Sequence, residues 1–196
     1  MRGGPDRPVI TSTSPLRGDP GAAITIFEFG DFLCIPCAEV APVLDAMLEQ
    51  YKGQVKLIWK DLPNTSRHPL AQKAAEAARC VAEQNKFWEY HAALLTQTGA
   101  GQPLTEQGLT LIAQKLGLTM GDFTPPPERR GEESVVGGFT ECLASERTKD
   151  LIERDTNEAI LLRVDATPYF FIGTERFSGA IPEARLKEII EKALKK

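Results

Sequence analysis

The sequence predicts a mixed α/β fold in which a β-α-β unit opens the chain, a block of helices interrupts it and a β-β-α unit closes it. Three observations carry this. Two short apolar runs, residues 23–29 and 55–60, flank a stretch whose apolar residues recur at helical spacing. Residues 69–162 read as consecutive helical patterns broken by loops. The chain then returns to aromatic strand material at 168–172 and finishes on an amphipathic helix.

Taken in order, residues 1–20 are rich in Pro, Gly, Ser and Thr and form an extended or partly ordered arm. The strand at 23–29 has the composition of a buried central strand, and Gly30-Asp31-Phe32-Leu33 turns the chain. A helix is expected over 34–51, with Val40, Val43, Leu44, Met47 and Leu48 on one stripe and a kink at Pro42. Gly53 stops it, and 55–60 is the second strand of a parallel crossover unit. Helices are expected over 70–84, opened by His68-Pro69 with the proline at a tolerated first-turn position, and over 86–95, 105–116, 134–143 and 146–162. Pro125, Pro126 and Pro127 place a surface loop at 124–130. A turn at Gly173-Thr174 leads to a short strand near 176–178, and the last helix, 182–195, carries Leu186, Ile189, Ile190 and Leu194 on one face. This divides the chain into an arm (1–20), a first α/β part (21–62), a helical insertion (63–155) and a second α/β part (156–196).

Composition removes several function classes. A formal charge of −4 over 196 residues argues against nucleic-acid binding, which needs a clustered positive surface. No apolar run approaches the roughly 18 residues of a membrane span. The first twenty residues hold no apolar stretch of the about 7–15 residues a signal peptide needs, so the chain is expected either to be cytosolic or to have lost a leader.

Cys34-Ile35-Pro36-Cys37 is the most informative motif. A zinc site would need two more ligands at ribbon or finger spacing. The sequence has no second Cys-x-x-Cys, and His68 and His91 are 23 residues apart, so no metal is expected. A purely structural disulfide inside four residues removes little unfolded-chain entropy. At the start of a helix the pair has a chemical use. Free N–H groups and the positive end of the helix dipole stabilise a thiolate at Cys34, the nucleophile. Cys37, one turn deeper, resolves the mixed disulfide. Cys34 is therefore expected to keep some solvent access and Cys37 to be buried. Cys80 and Cys142, both in the helical block, could be free core thiols or a disulfide. Closing a loop of that length is worth about 4 kcal/mol in the chain-entropy model. Glu28 lies in an apolar strand covered on both faces, and alternation leaves its direction open. Sequence alone favours a trans bond before Pro168.

The segment Thr25-Ile26-Phe27-Glu28-Phe29-Gly30-Asp31-Phe32-Leu33-Cys34-Ile35-Pro36-Cys37, with Pro42 five residues beyond the second cysteine, resembles the DsbA-like branch of the thioredoxin superfamily. So do Asn85-Lys86-Phe87-Trp88-Glu89-Tyr90-His91, similar to that branch's helical insertion, and Val164-Asp165-Ala166-Thr167-Pro168-Tyr169-Phe170-Phe171, similar to its cis-proline loop. The resemblance runs from about residue 20 to the end. It implies a thioredoxin fold with an inserted helical domain, acting in thiol–disulfide exchange without a cofactor. It implies that Thr167-Pro168 is cis and faces the cysteines, leaving the Thr167 backbone to pair with an extended substrate. It places Glu28 beneath the cysteines, with Lys60 as its partner, to shuttle the proton of Cys37. It makes Cys80–Cys142 a structural disulfide of the insertion, which speaks for a periplasmic or otherwise extracytoplasmic location.

The expected partners are reduced or misoxidised polypeptides and a membrane quinone-linked re-oxidising protein, DsbB-like or VKOR-like, with the chain acting as a monomer. Ile35 and Pro36 differ from the strongly oxidising relatives, which carry a histidine there, so a moderate oxidant is expected. The proline-rich stretch 124–130 has no counterpart in the resemblance. His68 and His91 are read as structural, and Trp59, Phe87 and Trp88 as core. Two other activities compete: a disulfide reductase of the same fold, and a glutathione-dependent isomerase or transferase. The latter usually has a lone serine or cysteine in place of the pair, so Cys37 argues against it.

Overall fold

Five strands form one mixed sheet in a computed structural model that describes residues 6–121 and 137–195. In chain order they are β1 (Leu16–Gly18), β2 (Ile24–Gly30), β3 (Val55–Asp61), β4 (Tyr169–Ile172) and β5 (Glu175–Ser178). The spatial order is β1-β3-β2-β4-β5. β2 and β3 are parallel and joined by α1 (Ile35–Gln50), whereas β4 runs antiparallel to β2 and continues into the β4–β5 hairpin. α1 continues through Pro42.

Within the extended or partly ordered arm expected over 1–20, residues 16–18 form a strand, β1, that the sequence reading did not include. Three residues among prolines and glycines carry no strand signal of their own. Pairing with β3 supplies it, Leu16 opposite Ile58 and Gly18 opposite Lys56, and the Trp59 N–H donates to the Pro15 carbonyl at 3.1 Å. Gly18 has φ +102°, and a Cβ there would lie 2.8 Å from the Val55 carbonyl oxygen, so only glycine fits this edge.

One sheet face packs on α1 and on α7 (Glu183–Leu194). Val40, Leu44 and Met47 meet Ile26, Leu57 and Phe170, and α7 adds Leu186, Ile189 and Ile190. Each of those three side chains contributes about 2 kcal/mol by leaving water. The other face packs on α6 (Lys149–Leu161), where Phe27, Phe29, Ile58 and Phe171 meet Ala159 and Leu162. A third cluster sits at the Cys34 end of the sheet. There α2 (Ala71–Ala82), α3 (Phe87–Gly99), α4 (Glu106–Lys115) and α5 (Phe139–Ala144) pack Ala74, Ala78, Leu94, Leu109 and Phe139 against Phe32, Cys37 and Trp59.

The boundary expected at 155/156 falls inside α6. That helix gives Ile152 to the helical cluster and Ala159 to the sheet face. The helix expected from 146 begins at Lys149, because Glu146 adopts φ +58°. The helix expected over 134–143 begins at Phe139, and residues 134–136 and the proline-rich loop 124–130 lie outside the described residues. α2 and α5 are joined by a disulfide between Cys80 and Cys142, with Cα atoms 5.7 Å apart.

Candidate active site

The turn after β2 sets the geometry. Gly30 must lack a side chain, since a Cβ there would lie 2.2 Å from the Trp59 ring. Phe32 stacks on Trp59 with ring centroids 4.8 Å apart, and its carbonyl accepts the buried Thr98 hydroxyl at 2.7 Å. Asp31 closes the turn: its carbonyl accepts the Cys34 N–H at 3.1 Å and its Oδ1 the Leu33 N–H at 2.8 Å. Cys34 thereby becomes the N-cap of α1, with φ −82° and ψ 116°. No side chain caps the helix, and Pro36 in its first turn brings no N–H. The sulfur at Cys34 is left to face the helix terminus.

Both cysteines are free thiols. Cys34 is 7% exposed, more covered than expected, while Cys37 is fully buried. The Thr167–Pro168 bond is cis, and the Thr167 carbonyl oxygen lies 3.3 Å from Cys34 Sγ.

The two thiols differ in acidity. The Cys34 thiol is lowered from 9.0 to about 6, first by the hydrogen bond from the Cys37 thiol, then by hydrogen bonding with Thr167 and from the Cys37 backbone. Burial and the charge of Asp31 oppose this. Cys37 is pushed up by burial, by its bond to Cys34 and by the nearby Glu28. One sulfur is a thiolate at neutral pH and the other holds its proton.

Glu28 is fully buried, and among the described residues neither carboxylate oxygen has a hydrogen-bond partner. Burial, with the charges of Cys34 and Asp45, pushes it up to about 8. The expected pairing with Lys60 does not form. Glu28 stands opposite Trp59 in the register, so it shares the α1 face, while Lys60 stands opposite Phe29 and projects to the α6 face. There its Nζ meets Asp155 at 3.0 Å and Glu158 at 2.9 Å, inside a buried network with Arg79 and Asp61. Lys60 is thus removed from the site, and Glu28 is left as an unpaired acid.

His91 is enclosed by Phe32, Trp59, Phe87 and Trp88, and burial lowers it to about 3, so it stays neutral. His68, read as structural, reaches Asp31 through Nδ1 at 2.8 Å. Sequence reading missed this contact and that of Thr98, because partners 37 and 66 residues apart leave no local pattern. Among the described residues no cluster of three or more His, Cys, Asp or Glu is placed to hold a metal ion.

A family model described as thioredoxin matches residues 11–192. The Na(+)/H(+) antiporter NhaA 3 of Salinispora tropica is 34% identical over 172 residues, which is 88% of this chain and 23% of that protein. The NhaA antiporter of Herminiimonas arsenicoxydans is 27% identical over 184 residues, 94% of this chain and 26% of that protein. The chain thus spans about a quarter of the length of these curated relatives. Among solved structures, the catalytic domain of Proteus mirabilis ScsC aligns with TM-score 0.76 at 20% identity, over 95% of this chain and 92% of that one. A periplasmic thioredoxin-like protein of Salmonella enterica serovar Typhimurium gives 0.74 at 23%, over 94% and 91%. Oxidised BdbD of Bacillus subtilis gives 0.73 at 23%, over 94% of each chain.

Proposed function

The chain belongs to the thioredoxin family, and from that premise we propose that it is a DsbA-like thiol–disulfide oxidoreductase that oxidises cysteines in exported polypeptides. The observation that carries the reading is the acidity difference within the pair, a lowered Cys34 beside a raised Cys37.

In the oxidised enzyme a substrate thiolate attacks Cys34 Sγ. The Cys34–Cys37 bond breaks, a mixed disulfide forms at Cys34, and Cys37 leaves with the electron pair. Glu28, protonated at neutral pH, supplies the proton that Cys37 takes up. A second substrate thiolate then attacks the substrate sulfur of the mixed disulfide and expels Cys34 as its stabilised thiolate. The substrate has lost two electrons and two protons, of which one replaces the proton Glu28 gave up and the other goes to solvent, and the enzyme ends reduced, with Cys37 as thiol and Cys34 as thiolate. Thr167 offers its backbone beside Cys34 to an extended chain, with Pro168 completing that wall. Re-oxidation of the dithiol falls to a quinone-linked membrane protein, DsbB-like or VKOR-like. The two cysteines, Glu28 and Thr167 come together within one chain.

An extracytoplasmic setting agrees with the Cys80–Cys142 disulfide and with the periplasmic origin of the Salmonella protein of the same fold. Ion transport is not carried over from the antiporters, of which this chain matches only about a quarter.

Equilibrating the Cys34–Cys37 pair with glutathione tests the direction of electron flow. A moderate oxidant, clearly less reducing than thioredoxin at about −270 mV, is expected. A pair as hard to reduce as thioredoxin's would replace the oxidase by a reductase. Insulin reduction and peptide oxidation, run side by side, separate the two in turnover.

A further inference from the structure

The Asp31 carboxylate is fully buried and joins two segments of the chain. Its Oδ1 accepts the Leu33 N–H in the turn before Cys34. Its Oδ2 accepts the Asn64 N–H at 3.1 Å and His68 Nδ1–H at 2.8 Å. Asn64 and His68 are the two ends of one turn, and that turn is closed from within. The His68 N–H donates to the Asn64 carbonyl at 2.8 Å, and Asn64 Oδ1 accepts the Ser66 hydroxyl at 2.8 Å and the Arg67 N–H at 3.2 Å. A single oxygen atom thus fastens both ends of the 64–68 turn to the backbone that positions Cys34.

That turn is one wall of a cleft of about 290 Å³. Residues 62–66 face residues 164–167, and the cleft ends at Thr167, whose carbonyl touches the reactive sulfur. Its lining offers hydroxyls, an amide and backbone groups, and its one charged residue is Asp165. Uncharged peptide backbone finds hydrogen-bond partners there. None of these lining residues is a cation that would hold a carboxylate-bearing small thiol such as glutathione by ion pairing.

We infer that Asp31 and His68 are positioning residues that make the enzyme select polypeptide thiols over small ones, by holding the 64–68 turn as the wall of the cleft against which the substrate chain lies. The inference rests on the polypeptide substrate proposed above. His68 and Asn64 touch no reacting atom, and the Asp31 charge, which acts on Cys34, bears on peptide and small dithiol alike. The clamp acts on the substrate segment beside the attacked cysteine, so a small dithiol, which has no such segment, does not use it.

The test compares two rate constants for the oxidised protein, one with a reduced two-cysteine peptide and one with dithiothreitol. In His68→Leu the peptide-to-dithiothreitol ratio falls at least fivefold. In His68→Asn, which restores an N–H donor near the position of Nδ1, the ratio returns to within twofold of the wild-type value. Asn64→Ala opens the turn from within while leaving Asp31 and His68 in place, and it lowers the ratio as well; it decides the matter if His68→Leu fails to fold. A ratio unchanged in Asn64→Ala or in folded His68→Leu, or no recovery in His68→Asn, overturns the clamp. A wild-type protein that oxidises dithiothreitol but not the peptide overturns the polypeptide substrate and the clamp with it. One that oxidises neither overturns the exchange function itself.

Discussion

The Sγ atom of Cys34 lies 3.3 Å from the carbonyl oxygen of Thr167, which is 133 positions further along the chain. The sheet makes this meeting possible. β2 ends at the cysteine turn, β4 begins one residue after Pro168, and the two strands are antiparallel neighbours, with Phe29 opposite Tyr169. The Cys34 sulfur and the Thr167 backbone are thereby held against each other.

Cys34 in the reduced protein titrates near pH 6, read as thiolate absorbance or as alkylation rate against pH. Its folded value is depressed, so the stabilisation it gives the dithiol form is complete above about 9 and is lost as pH falls through 6. At pH 7 it amounts to about 1.4 kcal/mol. Cys37→Ala removes the largest cause of the shift and moves the midpoint up by at least one unit. A midpoint unchanged in that variant would assign the acidity to the helix terminus instead.

Glu28→Gln makes the protein more stable at neutral pH. The folded value is raised to about 8, so the acid's contribution is fully present below 4.5 and is lost as pH rises through 8. Replacing it gains on the order of 3 kcal/mol at pH 7, read from urea unfolding at several pH values. The same variant slows peptide oxidation by about 10-fold or more, because Cys37 loses its proton donor. Faster or unchanged turnover would take Glu28 out of the exchange.

Lys60→Met costs about 3 kcal/mol, since it leaves Asp155 and Glu158 short of a buried cation. The Cys34 midpoint stays within half a unit of wild type, as Lys60 occupies the far face of the sheet from Glu28. A larger displacement would mean that Lys60 acts on the cysteines after all.

Lys60 also marks the limit of what the sequence could reveal. The cysteine pair, the helix it caps and the chain order of the elements after β1 are written in patterns that span a few residues. Which face Lys60 takes depends on pairing with Glu28's strand, and a register shift of one residue would reverse it. β1 is likewise invisible until β3 is beside it, because Leu16, Arg17 and Gly18 form a strand only through their partner. The clamp of Asp31 by Asn64 and His68 depends on where a loop folds back, and neighbouring residues do not encode that.

Replacing Cys80 and Cys142 together by alanine lowers stability by about 4 kcal/mol, the chain-entropy value for residues 62 apart. The Cys34 midpoint and the glutathione equilibrium of the variant remain those of wild type. Calorimetry beside the redox titration reads both. A displaced equilibrium would show that the second pair helps to set the potential of the first.

Pro36→His places a hydrogen-bond donor or positive charge beside the Cys34 thiolate. It lowers the Cys34 midpoint and shifts the glutathione equilibrium toward the dithiol by about tenfold for each 30 mV. An equilibrium left unchanged would place the control of potential outside the residues between the cysteines.

All four cysteine sulfurs lie in a single hydrophobic cluster, yet they are unequal to a reagent arriving from water. Cys34 is 7% exposed and ionises readily, Cys37 is sealed behind it, and Cys80 and Cys142 are each 1% exposed and already joined. The folded shell therefore acts as insulation between two electrical circuits. A mild dissolved reductant would deliver one electron pair, to a Cys34–Cys37 bond, and stop, so the native oxidised protein would take up two electrons per chain where an unfolded one would take up four. The second circuit opens only when the first has lost the fold around it.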